Sequence, residues 1–241
     1  MYKTPSGTTY NLFKDMAMQN HLLVAGATGS GKSVVVNGII TTLLYKAPSE
    51  VQFILIDPKR VELSPYKNLP HTICYASEPK DMVDALDYAM SITETRYRKM
   101  EKNGERKYSG GDVYVIIDEW ADLMTTQKQK VAPLLQRLAQ IGRASKVHII
   151  LCTQTPIAKV IPTEIKCNFD SRVGLRTRSA QDSRNILGFN GLENLPLYGQ
   201  GIYMTPAGDT IYKIPYVDEV EQKRLIGWWT KQNRKGWWKL W

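Results

Sequence analysis

The stretch GATGSGKS, residues 26–33, follows the apolar run HLLVA (21–25) and opens into SVVVNGIITTLL (33–44). Its spacing is that of a phosphate loop, G-x-x-x-x-G-K-[ST], and it lies where such a loop works, between a buried strand and a helix. Gly26, Gly29 and Gly31 let the backbone turn its N–H groups inward around a phosphate, beside the positive end of a helix. Ala27, Thr28 and Ser30 complete the cradle. Lys32 is placed to bridge the β- and γ-phosphates of ATP, and the Ser33 hydroxyl to ligate Mg2+.

Outward from this loop, short aliphatic runs alternate with helical patterns. VQFILID (51–57), HTICY (71–75), VYVIID (113–118), VHIILC (147–152) and SRVGLR (171–176) join 21–25 as strands. Several are continuously apolar, as strands covered on both faces must be. The pattern predicts an α/β fold, a mostly parallel sheet with helices on both faces. One helix follows residue 75, with Ser77 placed to cap it, Pro79 in its first turn, and Met82, Val83, Leu86 and Met90 at helical spacing. It should fray into a polar surface loop, EKNGERKYSGG (101–111). A second helix carries Val131, Leu134, Leu135 and Leu138 on one face.

The run VYVIIDE supplies the partner of the phosphate loop. Asp118, at a strand's carboxyl end, can hold a magnesium-bound water, and Glu119 can polarise the attacking water as general base. Two acids at a buried strand end serve little structural purpose without a cation to offset them. The following strand leads into Thr153 and Gln154, and a polar side chain there can sense the γ-phosphate. Two predicted strands separate the phosphate-loop strand from the Asp118 strand in chain order, which points to the RecA-like P-loop NTPase class.

The chain of 241 residues carries a net charge of +9, but residues 221–241 hold six Lys or Arg and one Glu, so five of those charges lie at the end and four in the rest. The three cysteines, Cys74, Cys152 and Cys167, lack metal-ligand spacing and read as reduced. No apolar run reaches the roughly 18 residues that span a bilayer, and the start lacks a signal-peptide layout. The expectation is a cytoplasmic protein with one compact domain, residues 1–217, and a basic Trp-rich appendage, residues 218–241.

With those residues in hand, the chain resembles the motor domain of the FtsK/SpoIIIE family of double-stranded DNA translocases. The carrying segments are HLLVAGATGSGKSVVVN, FILIDPKRVELS with the following LPH, IIDEWADLM, RLAQIGRAS with HIILCTQTP, and SRVGLRTRSAQDSRNILG with GLENL, spread over roughly residues 10–205. The resemblance implies a homohexameric ring around duplex DNA, hydrolysing ATP at subunit interfaces. By motif, Lys32 and Ser33 resemble the nucleotide-binding pair, Asp118 and Glu119 the magnesium and catalytic acids, and Gln154 the sensor. Arg172 occupies a position similar to the family's arginine finger, a surface salt bridge being its other reading, with Arg143 as second choice. Lys128 and Lys130 in TTQKQK, and Arg106 and Lys107 in ERKYSGG, offer positive loops that would grip DNA phosphates without reading bases, or stand as ordinary basic surface.

Some positions depart from the family. Thr155 stands where the family usually has arginine, and Trp120 where it has phenylalanine. A chain this short suits a phage or conjugative element, or an excised motor domain. Type VII secretion ATPases share this fold family and move protein instead, so stimulation by DNA separates the two readings. The end, GWWTKQNRKGWWKLW, has three readings: rings docked on the domain or a neighbouring subunit, a membrane-interface patch, and an aromatic-basic grip on nucleic acid.

Overall fold

A computed structural model describes residues 2–3, 9–10, 21–46, 48–213 and 216–234. The chain begins with β1 (Tyr2–Lys3) and β2 (Thr9–Tyr10), then β3 (His21–Ala25), α1 (Lys32–Lys46), β4 (Val51–Ile56), β5 (Thr72–Ala76) and α2 (Pro79–Asn103). It continues through β6 (Asp112–Ile117), α3 (Trp120–Thr126), α4 (Lys128–Ser145), β7 (Val147–Thr153), α5 (Thr163–Lys166) and β8 (Ser171–Leu175). It closes with α6 (Ala180–Leu187), β9 (Gln200–Thr205), β10 (Gly208–Lys213) and α7 (Glu219–Arg234). β1 and β2 pair as a small antiparallel ribbon, and the other eight strands form one sheet in the order β5-β4-β6-β7-β3-β8-β9-β10.

The continuously apolar strands are buried on both faces. Along β3, Leu23 and Ala25 face one core while Leu22 and Val24 face the other, and Val115 and Ile117 alternate with Tyr114 and Ile116 along β6 in the same way. Helix α1 packs on the second face through Val36, Ile39, Ile40 and Leu44, whereas α2, α3 and α4 cover the first. β7 lies between β3 and β6, so one strand separates the phosphate-loop strand from the Asp118 strand in the sheet.

Three local expectations are corrected. Glu78, not Ser77, is the residue at the start of α2, with no side-chain cap, and Pro79 opens the helix as expected. The helix runs through Asn103 and stops where Gly104 takes a left-handed conformation (φ 68°), so the connection is shorter than 101–111. That connection is tied down. The Tyr108 N–H donates to the Ala144 carbonyl at 2.8 Å, and Arg96 stacks its guanidinium 4.4 Å over the Tyr108 ring while donating to the Ser145 carbonyl. Lys128 and Lys130, expected in a loop, stand exposed in the first turn of α4.

The hairpin β9–β10 is an addition that the strand reading omits. It joins β8 antiparallel, so the mostly parallel sheet is mixed at one edge. Opposite Tyr212, glycine at position 201 leaves room for the ring, since a Cβ there would sit 2.7 Å from it.

Helix α7 docks on the body instead of trailing from it. Leu225 and Trp229 enter the second core face, Trp229 meets the His71 ring edge-on at 4.6 Å, and Gln222 donates to the Tyr66 hydroxyl at 2.8 Å. Trp228, on the adjoining face, is half exposed. Trp237, Trp238 and Trp241 lie outside the described residues. Among the described residues no helix is long and apolar enough to cross a membrane, and Cys74, Cys152 and Cys167 are unbridged.

Candidate nucleotide site

The parallel strands point their carboxyl ends at one edge, where the phosphate loop, Asp118, Glu119 and Gln154 gather. The phosphate loop leaves β3 and is pinned on both sides: the Ala27 N–H donates to the Arg176 carbonyl after β8 (2.8 Å), and the Gly26 N–H to the Thr153 carbonyl of β7 (3.4 Å). Gly29 and Gly31 have φ of 78° and 99°, a region that side-chain-bearing residues seldom enter. Gly26 is constrained by space. A Cβ there would lie 2.6 Å from both the Leu175 Cβ and the Ser30 Oγ. Lys32 and Ser33 open α1 directly behind this turn.

Asp118 and Glu119 follow β6 and are buried. The Lys32 ammonium forms an ion pair with Asp118 Oδ1. Burial disfavours the Lys32 ammonium, but Cys152, Asp118 and Glu119 together outweigh it and hold its pKa above the usual lysine value. For Asp118, burial raises the carboxyl pKa, Lys32 opposes the shift, and Glu62 and Asp57 add to it. Cys152, behind them, is pushed up to about 12 by burial and is an inert thiol.

Glu119 occupies a left-handed conformation (φ 62°, ψ 70°) at the entry to α3. A bulky residue there is a strained exception of the kind that collects at functional sites. Its carboxylate is held from two directions. Oε1 accepts from the Thr153 hydroxyl (3.0 Å) and the Gln154 N–H (3.1 Å), and Oε2 pairs with Lys59 Nζ (3.4 Å). Behind it, the indole N–H of wholly buried Trp120 donates to the Val160 carbonyl at 2.8 Å, anchoring the start of α3 to the segment that follows Gln154. The Thr155 N–H donates to Thr153 Oγ1 at 3.1 Å, so the backbone of residue 155 helps to set the hydroxyl that holds Glu119.

Asp57, at the end of β4, is a site residue that the motif reading passed over. Its Oδ2 accepts from the N–H groups of Leu63 and Ser64, while Oδ1 is buried without a partner. The signal in the sequence was an acid ending an apolar strand, the same signal that marks Asp118. This donor set fits a hydrated magnesium ion, since the Asp118 carboxyl is raised by burial and by the neighbouring Glu62 and Asp57 carboxylates, and one Asp57 oxygen lacks a donor. No cluster of three or more potential ligands stands ready among the described residues. Ser33 and Asp118, the latter through water, would therefore share the ion with phosphate oxygens, as suits a cation that keeps much of its hydration.

Gln154 Oε1 accepts from the Thr28 hydroxyl at 2.6 Å, joining the sensor position to the phosphate loop. Beside them a cavity of about 270 Å³ opens between the segments after β7 and β8, with Pro156, Thr177 and exposed Arg178 in its wall.

Arg172 is a correction. Its Nε donates to the Phe169 carbonyl (2.9 Å), Nη1 to Ile186 (3.0 Å) and Nη2 to Lys166 (3.4 Å). It binds carbonyls at the ends of α5 and α6 within its own chain, where a cation is favoured. Neither the neighbour-reaching finger nor a surface salt bridge describes it. Arg143, exposed near the end of α4, has no side-chain partner among the described residues. The two basic pairs do not form one patch. Lys128 and Lys130 lie at the start of α4, on the nucleotide edge, whereas Arg106 and Lys107 lie by its end, about 25 Å away at 1.5 Å per residue.

The model of the FtsK/SpoIIIE family matches residues 6–112 and 111–158, across the phosphate loop and both acids. The chain belongs to the FtsK/SpoIIIE family. It is 36% identical to the DNA translocase FtsK of Mesorhizobium japonicum, over 88% of this chain and 29% of that protein. To the DNA translocase FtsK of Rickettsia typhi it is 38% identical, over 89% and 35%. The chain thus spans about a third of the length of these FtsK relatives. Among solved structures, the pCW3 conjugation coupling protein TcpA, in a monomer form with ATPγS, superposes with a TM-score of 0.78 at 23% identity, over 89% of this chain and 66% of TcpA. The cytoplasmic domain of the type VII secretion ATPase EccC of Thermomonospora curvata gives 0.77 at 23%, over 88% and 28%. These likenesses establish the RecA-like P-loop fold.

Proposed function

We propose that this FtsK/SpoIIIE-family chain hydrolyses ATP to drive translocation of double-stranded DNA. It works as a ring, hexameric by the family pattern, with ATP sites at subunit interfaces, in conjugative or phage DNA transfer or in chromosome segregation. Residues 1–217 form the motor and 218–241 an appendage, of which α7 packs on the body. One observation carries the hydrolytic part: buried Glu119, oriented by Thr153 and Gln154, stands beside the Lys32–Asp118 pair at the end of β6. The relatives named DNA translocase FtsK support the choice of substrate.

In this reading Lys32 leaves Asp118 as it takes up the β- and γ-phosphates, within the N–H groups of residues 26–33. Bound magnesium would offset charge on the phosphate oxygens, at Ser33 and Asp118. Glu119 accepts a proton from the attacking water and Thr153 fixes its orientation. Gln154, bonded to Thr28, moves with the phosphate loop and reports its occupancy. Arg143, exposed and without a side-chain partner among the described residues, is available to a neighbouring subunit. Lys128 and Lys130, on the nucleotide edge, and Arg106 and Lys107, at the opposite end, contact DNA phosphates irrespective of sequence.

Turnover measured with and without linear duplex DNA tests the proposal. Stimulation by duplex, falling as salt rises, is the expected result. A rate indifferent to DNA but raised by a protein substrate would transfer the chain to the secretion class.

A further inference from the structure

We infer that Lys59 restrains Glu119 in the resting site and that duplex DNA, by drawing Lys59 away, releases the carboxylate for hydrolysis. The inference rests on the DNA-translocase reading and adds the residue through which DNA is felt.

Of the three donors that hold Glu119, two are fixed parts of the fold. The Thr153 hydroxyl belongs to a fully buried strand residue, and the Gln154 N–H is backbone. Lys59 is different. Its side chain is 44% exposed while that of Glu119 is 4% exposed, and the two meet at 3.4 Å. Among the described residues it is the one clamp on Glu119 that a molecule arriving from solvent can reach.

The turn bearing Lys59 is well made. Asp57 holds it by accepting from the N–H groups of Leu63 and Ser64, and Arg60 takes a left-handed conformation (φ 57°) within it. Lys59 and Arg60 are therefore presented side by side and exposed, on the same sheet edge as the phosphate loop. Arg60 pairs with exposed Glu78. A long ion pair with one member in solvent is weak, and closely spaced DNA phosphates compete well for two adjacent cations.

The chemical consequence follows from what a base requires. A carboxylate with Oε1 taking two hydrogen bonds and Oε2 turned to an ammonium is engaged at both oxygens, so neither is free to receive an attacking water. Removing Lys59 frees Oε2 and leaves the two orienting bonds to Oε1 in place. Lys59 is thus a positioning residue that acts through Glu119. It does not touch the phosphates.

The test compares the Lys59→Ala, Lys59→Met and Lys59→Arg variants with the unaltered protein, measuring kcat without DNA and with saturating linear duplex. In the Ala and Met variants the DNA-free kcat should rise by about fivefold, equivalent to about 1 kcal/mol, and the ratio of DNA-bound to DNA-free rates should fall by the same factor. Lys59→Arg should keep the ratio of the unaltered protein. A DNA-free rate in both variants that is unchanged or lowered overturns the restraint. The DNA-free rate reads the restraint even if the unaltered protein ignores DNA, an outcome that would instead sink the translocase proposal.

Discussion

Replacing Glu119 by Gln removes one charge from the site and little else. The carboxamide oxygen can still accept from the Thr153 hydroxyl and the Gln154 N–H, so the left-handed entry to α3 keeps its support. The pair with Lys59 is lost, but at 3.4 Å with a 44% exposed lysine it contributes at most about 1 kcal/mol. The Lys32–Asp118 pair and the N–H cradle remain, so ATP affinity should change by no more than about fivefold, the equivalent of that 1 kcal/mol. Turnover should fall by about 10²- to 10⁴-fold, the usual contribution of a general base. Equilibrium binding of a fluorescent ATP analogue, run beside steady-state phosphate release, separates the two effects. Turnover within tenfold of the unaltered protein would refute Glu119 as the base. Loss of binding with turnover would show instead that the acid holds the site together.

Other outcomes follow from the same contacts. Trp120→Phe takes the donor from the buried Val160 carbonyl and should cost about 2 kcal/mol, a fall of about 4–8 °C in Tm for a chain of this size; an unchanged Tm would show that the indole N–H does not anchor α3. Arg172→Ala opens the carbonyls of Phe169, Ile186 and Lys166 and should lower stability by about 2 kcal/mol or more. Turnover per folded molecule should persist, and the opposite pattern, full stability with turnover abolished, would restore the finger role. Burial lowers His21 to about 3 and His71 to about 4. Both remain neutral in the folded chain while the unfolded chain takes up protons below about 6.5. Their stability contribution is complete above that pH and is lost as pH falls toward 4 and 3, about 2 kcal/mol for each by pH 5; urea titrations at pH 7 and pH 5 giving equal stability would contradict their burial as neutral rings.

Much of the site was legible because its chemistry is written in contiguous motifs. A phosphate loop must follow a strand and open a helix, and a strand reading VYVIID can end only where its acids meet that loop. The six strands first read differ from those observed by at most a residue at either end. What stayed hidden depends on contacts between distant segments. Nothing in NFDSRVGLR tells that Arg172 will meet the carbonyls at the ends of α5 and α6, so the motif resemblance placed it at an interface. The hairpin β9–β10 lacks a continuous apolar run, since as an edge strand β10 leaves alternate side chains exposed. Likewise Lys128 and Lys130 followed a polar stretch that read as loop. Their helix is settled by Val131, Leu135 and Leu138 packing beneath it. The reversal at Trp120, tryptophan for the family's phenylalanine, became intelligible only when the Val160 carbonyl appeared opposite its N–H.

The most direct test of the account is movement along DNA. A third strand annealed near one end of a linear duplex should be displaced by the protein when ATP is supplied. It should stay in place with a non-hydrolysable analogue or with the Glu119→Gln variant. Duplex-stimulated ATP hydrolysis without displacement of that strand would contradict translocation.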